Sequence, residues 1–163
     1  IIGMLVEGNS MRSVSRMANC SINTVTKLLG DIGKACAEYQ DKVLRNLTCK
    51  RIQCDEIWSF CYSKEKNVPE EHRGEFGYGD VYTWTAMCAD SKLILSFLVG
   101  RRDAAHGKVF IQDLADRLKN RVQLTTDGHK VYLEAVENAF AGDIDYAMLV
   151  KVYEPGPSED QRK

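Results

Sequence analysis

Arg51-Ile52-Gln53-Cys54-Asp55-Glu56-Ile57-Trp58-Ser59-Phe60-Cys61-Tyr62 is the stretch on which the fold turns. Its β-branched and aromatic residues predict a strand. A carboxylate inside so apolar a strand costs several kcal/mol to bury unless it is paired or holds a cation, so Asp55 needs a partner.

Reading outward, Asp80 to Ala89 and Leu93 to Val99 are two further strand-like runs, the latter two joined by the short turn Asp90-Ser91. Lys64 to Gly79, with Pro69, Gly74, Gly77 and Gly79, reads as a long hairpin loop. Asp103 is placed to cap a helix from Ala104 to about Lys119, with Phe110, Ile111, Leu114, Ala115 and Leu118 inward. A fourth strand, Val122 to Thr126, ends at Asp127-Gly128. A helix with Tyr132, Val136, Ala139 and Phe140 inward follows, ended by Gly142, and then a fifth strand over Ile144 to Val152. Three strands, helix, strand, helix, strand is not the alternation of a doubly wound sheet. It predicts an α/β domain over residues 48–163 with a mixed sheet flanked by helices, in the ribonuclease-H-like order.

Upstream, residues 1–47 predict an all-α module, with Val14, Met17 and Ala18 in one helix and Val25, Leu28, Leu29 and Ile32 in the next. Ser10 and Ser21 are placed to cap them. After Gly33, the stripe Cys36, Tyr39, Val43 and Leu47 predicts a further, linking helix.

Twenty-two basic against twenty-three acidic side chains give a net charge of −1, so any binding to nucleic acid must come from a local patch. With 44% hydrophobic and 28% charged residues the chain is predicted to be globular. Its longest apolar run, Leu93 to Val99, is far too short to cross a bilayer, and Ile1-Ile2-Gly3 does not open a signal peptide. A cytoplasmic protein is expected, nucleoid-associated if bacterial, without a membrane partner. The six cysteines contain no C-x-x-C pair, and Cys54 faces away from Cys49 and Cys61, so buried reduced thiols are expected rather than a zinc site.

Asp127 is the second candidate for chemistry, at a strand tip before a glycine that permits a sharp turn. If the first and fourth strands are neighbours, Asp55 and Asp127 converge, and their oxygens suit Mg²⁺ or Mn²⁺ in a two-metal site for phosphodiester chemistry. Either Asp is also an ordinary turn or cap residue. Glu56 faces the opposite side of the strand and is expected to stay out of the site unless a bulge intervenes. His129 either assists proton transfer or faces solvent in its turn. Arg101 and Arg102 either clamp phosphate or simply end an exposed strand.

In the helical module, Asn23, Thr24 and Lys27 open the second helix where a helix-turn-helix meets base edges, and Arg12 and Arg16 lie on the helix that crosses the backbone. A plain helical hairpin satisfies the same pattern.

Cys54 to Phe60, Leu124-Thr125-Thr126-Asp127-Gly128-His129-Lys130-Val131-Tyr132 and Ile144 to Tyr153 resemble the IS-one-type insertion-sequence transposases, over nearly the whole chain. The resemblance implies that Asp55 and Asp127 are the first two acids of a DDE catalytic triad. It also implies a mobile-element enzyme that binds double-stranded DNA, works as a homo-oligomer and uses Mg²⁺ to free a 3′-hydroxyl at the element end and drive it into target DNA. Neither the helix bearing the family's last Glu nor the zinc-binding segment ahead of its helix-turn-helix has a counterpart here, and Glu154, Glu159 and Asp160 do not match the last motif. A chain truncated at both ends, with no third acid of its own and little cleavage activity alone, is therefore expected. Should a third acid be present, Glu134 and Glu137 are the first candidates. The alternatives are a ribonuclease-H-like structure-selective nuclease, needing the metals but no reader, and a helix-turn-helix transcription regulator with an α/β effector domain.

Overall fold

The structure is a computed structural model that describes residues 1–150. The last residues expected in the fifth strand, and Glu154, Glu159 and Asp160, lie outside the described residues. The chain divides into two compact units, residues 1–45 and residues from Asn46 onward. Leu47 forms a bridge to Leu118, which assigns it to the second unit.

The first unit contains α1 (Ile2–Val6), α2 (Met11–Met17) and α3 (Ile22–Val43). Ser10 caps α2 by accepting from Ser13 N–H (3.2 Å), and Ser21 caps α3 by accepting from Asn23 N–H (3.2 Å). Between them Asn19 takes a left-handed conformation (φ 48°), which Asn tolerates better than most residues, and Ser15 Oγ donates to Cys20 O across the turn (2.6 Å). Val14 and Val25, both fully buried, hold the pair together. The expected break after Gly33 does not occur. A glycine inside a helix costs only about 1 kcal/mol, and the helix-favouring residues around Gly30 and Gly33 carry α3 through both as one helix of 22 residues.

The second unit contains β1 (Arg51–Cys61), β2 (Gly79–Cys88), β3 (Ile94–Gly100), α4 (Ala104–Arg117), β4 (Gln123–Asp127), α5 (Val131–Phe140) and β5 (Asp145–Leu149). The five strands form one mixed sheet in the order β3-β2-β1-β4-β5. The pairs β1–β2 and β2–β3 are antiparallel, whereas β1–β4 and β4–β5 are parallel. Period-two alternation puts Ile52, Cys54, Trp84, Ala86, Cys88 and Leu124 into one core with Phe110, Ile111 and Leu114 of α4 and Tyr132, Ala135 and Val136 of α5. A register shift at Ala86/Met87 turns both Leu95 and Ser96 inward. Trp84 is the hub of this core. Its ring meets Phe110 (5.8 Å) and Tyr132 (5.6 Å), and its Nε1–H, which needs a partner when buried, donates to Arg101 O (3.1 Å). Asp103 caps α4 by accepting from His106 N–H (3.0 Å), as its position predicts.

The loop between β1 and β2 holds two short 3₁₀ turns, Glu65–Asn67 and Glu70–His72, and is tied down where Glu65 N–H donates to Asp80 Oδ1 (3.0 Å) and Asp80 N–H to Glu65 Oε2 (3.3 Å). All six thiols are unbridged, but only Cys54 and Cys88 are buried. Cys36 and Cys61 are exposed, contrary to the expectation for all six, because neither falls on a core-facing position. Among the described residues no helix is long and apolar enough to cross a membrane.

Candidate functional site

The pairing of β1 with β4 ends at Cys54 and Thr126, so Asp55 and Asp127 stand side by side just past the last rung, where β4 leaves the sheet for α5. Asp55 leans along its own strand, with Oδ1 accepting from Glu56 N–H (2.8 Å), and Asp127 Oδ1 accepts from His129 N–H (3.1 Å). Asp55, Glu56 and Asp127 each bring one carboxylate oxygen within 4.8 Å of the others, the one such group of three or more His, Cys, Asp or Glu side chains among the described residues.

Glu56 corrects the strand-face argument. It does lie on the helix-side face, opposite Asp55, and β1 runs without a bulge, with continuous pairing from Ile52 to Cys61. Its carboxylate still joins the cluster, because β1 and β4 stop pairing at Cys54 and Thr126 and Arg102 draws Glu56 and Asp127 together. The Glu56 side chain is 1% exposed. Its Oε2 accepts from Arg102 Nε (2.9 Å), and the Tyr132 hydroxyl is the carboxylate's other polar neighbour. Arg102 Nη2 also donates to Asp127 Oδ2 (3.0 Å), so one guanidinium spans both carboxylates. Burial works against that positive charge, but the bond to Glu56 and the charge of Asp127 more than offset it and hold Arg102 above its ordinary pKa.

Beside Glu56 stand two more buried polar atoms, Tyr132 Oη, which faces the Glu56 carboxylate, and His129 Nε2. Burial pushes the Tyr132 hydroxyl above its ordinary range, and the nearby Glu56 carboxylate adds to the shift. His129 is not the solvent-facing turn residue of one expectation. Its ring lies 6.1 Å from that of Trp84 and 6.2 Å from that of Tyr132, because the aromatic core extends under the turn after β4.

The cluster sits between two grooves. One, of about 690 Å³, is on the open face of the sheet and includes Asp55, Thr85, Met87, Thr125 and Asp127. The other, of about 480 Å³, includes Tyr78, Tyr82, Arg101, Arg102 and His129. Three converging carboxylate oxygens suit a hard divalent cation such as Mg²⁺ or Mn²⁺, and the donor set accounts for one ion.

Arg102 is thus at the site, engaged with its carboxylates. Arg101 is exposed, with Nη2 donating to Gly74 O (3.4 Å). Glu134 pairs instead with Lys108 (2.6 Å) and Glu137 is exposed, so neither joins the cluster. In the first unit Arg12, Arg16, Asn23, Thr24 and Lys27 are all exposed. Arg16 Nη2 donates to Ser13 Oγ (3.2 Å), and Lys27 pairs with Asp31 on the next turn. Sequence reasoning passed over Tyr82, whose ring lies 5.9 Å from the Arg102 guanidinium. Its place on the same face as Trp84, two residues nearer the turn, was the available signal.

A comparison with protein-family models finds no match, and a search of characterised proteins finds none either.

Proposed function

We propose that the second unit is a ribonuclease-H-like polynucleotidyl transferase and that the chain works as a DDE transposase on insertion-sequence ends. The observation that carries this reading is the meeting of Asp55, Glu56 and Asp127 within 4.8 Å where the C-terminal end of β4 lies beside the middle of β1, two central parallel strands. The strand order β3-β2-β1-β4-β5 supports the fold assignment. In the first unit, two serine-capped helices joined by a tight turn, with Asn23, Thr24 and Lys27 exposed at the start of the second, support a helix-turn-helix reader of double-stranded DNA.

Asp55, Glu56 and Asp127 would hold the divalent cation. Once bound, it supplies charge neutralisation for the phosphate and activation of the attacking oxygen. Asp55 and Asp127 are partly open to solvent and accessible to DNA, whereas buried Glu56 anchors Arg102 from behind. Until a cation takes over its carboxylates, the guanidinium supplies the positive charge without which a phosphodiester would be repelled. His129 N–H and Glu56 N–H hold one oxygen each of Asp127 and Asp55, fixing the orientation of both acids.

The test begins by selecting the duplexes the chain prefers from a random pool. Labelled ends of the selected sequence are then incubated with supercoiled plasmid and Mn²⁺. Weak metal-dependent nicking, in keeping with the low activity expected of the chain alone, that disappears in Asp55→Asn and Asp127→Asn with duplex binding retained, is the expected result. Nicking that survives both substitutions would refute the assignment.

A further inference from the structure

Beyond Glu56 the same face of β1 continues with Trp58 and Phe60, whose rings are 5.7 Å apart and tilted. Both are left in solvent, Trp58 42% and Phe60 48% exposed, although rings of this size normally go to cores or to binding surfaces. Lys64 Nζ sits 5.1 Å from the centre of the Trp58 ring. Across the ladder Trp58 opposes Tyr82, whose ring lies beneath Arg102, and Arg102 is bonded to Glu56 and Asp127. Three rings, Tyr82, Trp58 and Phe60, with Arg102 over the first and Lys64 over the second, therefore lead away from the carboxylates, and the groove of about 480 Å³ lined by Tyr82, Arg101 and Arg102 opens at the near end of this row. Two acids that line the groove, Glu65 and Asp80, accept backbone N–H groups from each other's residues and so fasten the loop to β2.

We propose that this surface binds an unstacked, single-stranded nucleic-acid segment beside the carboxylate cluster, with bases on Trp58 and Phe60 and phosphates toward Lys64, Arg101 and Arg102. The inference rests on the transposase reading only for the choice of DNA, and it needs no metal. A duplex keeps its base faces inside the stack, so only a frayed or flipped strand can offer them. An apolar protein partner fits less well, since it would bury the Lys64 and Arg102 charges against carbon.

The test uses the whole chain in EDTA. Anisotropy titrations follow a labelled twelve-residue oligothymidine and a twelve-base-pair duplex, at several salt concentrations. Trp58→Ala and Phe60→Ala should each weaken the single strand by about fivefold to a hundredfold, the usual value of one stacked base, and leave the duplex unchanged. Lys64→Ala should lower the single-strand salt slope by about 0.7, whereas the ring substitutions leave that slope alone. Both ring positions are exposed, so the variants should fold, which circular dichroism verifies. Unaltered oligothymidine affinity in both ring variants would overturn the proposal. So would a wild-type dimer that Trp58→Ala dissociates in sedimentation, which would give the rings to a second copy of the chain. Mn²⁺ binding measured on the same variants separates the two ideas, because loss of the stacking surface leaves the carboxylates intact.

Discussion

Replacing Arg102 by alanine removes the one charged group bonded to both Glu56 and Asp127. Breaking a fully buried ion pair by deleting one partner costs about 3–5 kcal/mol. Here the stranded Glu56 is 1% exposed, but Arg102 is 37% and Asp127 38% exposed, so solvent screens part of the loss. About 2 kcal/mol is the discounted expectation. Urea denaturation in EDTA reads it directly. A divalent cation should then compensate, since it takes the place of the guanidinium charge between the same oxygens. At a hundred times its Kd, a ligand adds about 2.7 kcal/mol to stability. The Mn²⁺ increment should be larger in Arg102→Ala than in the wild type, where metal and guanidinium compete. Adding Glu56→Gln to Arg102→Ala removes the buried charge and should recover most of the lost stability. Equal stability of Arg102→Ala and wild type in EDTA, or identical Mn²⁺ increments in both, would refute the reasoning.

Three further outcomes follow from other parts of the molecule. Gly107 lies under the sheet, and a Cβ there would come 2.3 Å from Val131 Cγ1 and 3.5 Å from the Trp84 ring, so Gly107→Ala should cost about 1–3 kcal/mol in urea unfolding. Hydrogen bonds from Ser91 lower the Cys88 thiol to about 7, while burial raises Cys49 to about 11. Cys88 gains its thiolate as pH rises through about 7, so iodoacetamide labelling followed by mass spectrometry should show a rate midpoint there, well below that of Cys49, and Ser91→Ala should move the Cys88 midpoint upward. In the first unit, Arg16→Ala should weaken binding to all duplexes and flatten the salt dependence. Thr24→Ala or Asn23→Ala should instead erode preference for the selected duplex by about 1–3 kcal/mol, as titrations against selected and scrambled duplexes would show.

The strands and capped helices are legible in the sequence because they depend on short-range chemistry. Alternation marks β1, β2 and β4, Ser10, Ser21 and Asp103 sit where their side chains cap, and the convergence of Asp55 with Asp127 follows once β1 and β4 are neighbours. Glu56 is harder to read. Alternation fixes where a Cβ points, not where a carboxylate oxygen three bonds further on can reach when the neighbouring strand has ended. Gly33 misleads for a related reason, since a small local penalty yields to the cooperativity of a long helix. His129 is half-covered by Trp84 and Tyr132, which are remote from each other in sequence, and no local pattern around Gly128 reports that.

The central claim, that Asp55, Glu56 and Asp127 form one divalent-cation site, is tested most directly by titrating Mn²⁺ into the chain and following free Mn²⁺ by electron paramagnetic resonance. Saturable binding that competes with Mg²⁺ and is lost in Asp55→Asn and in Asp127→Asn is the predicted result. Mn²⁺ binding that is absent from the wild type, or unchanged by both substitutions in folded protein, would contradict it.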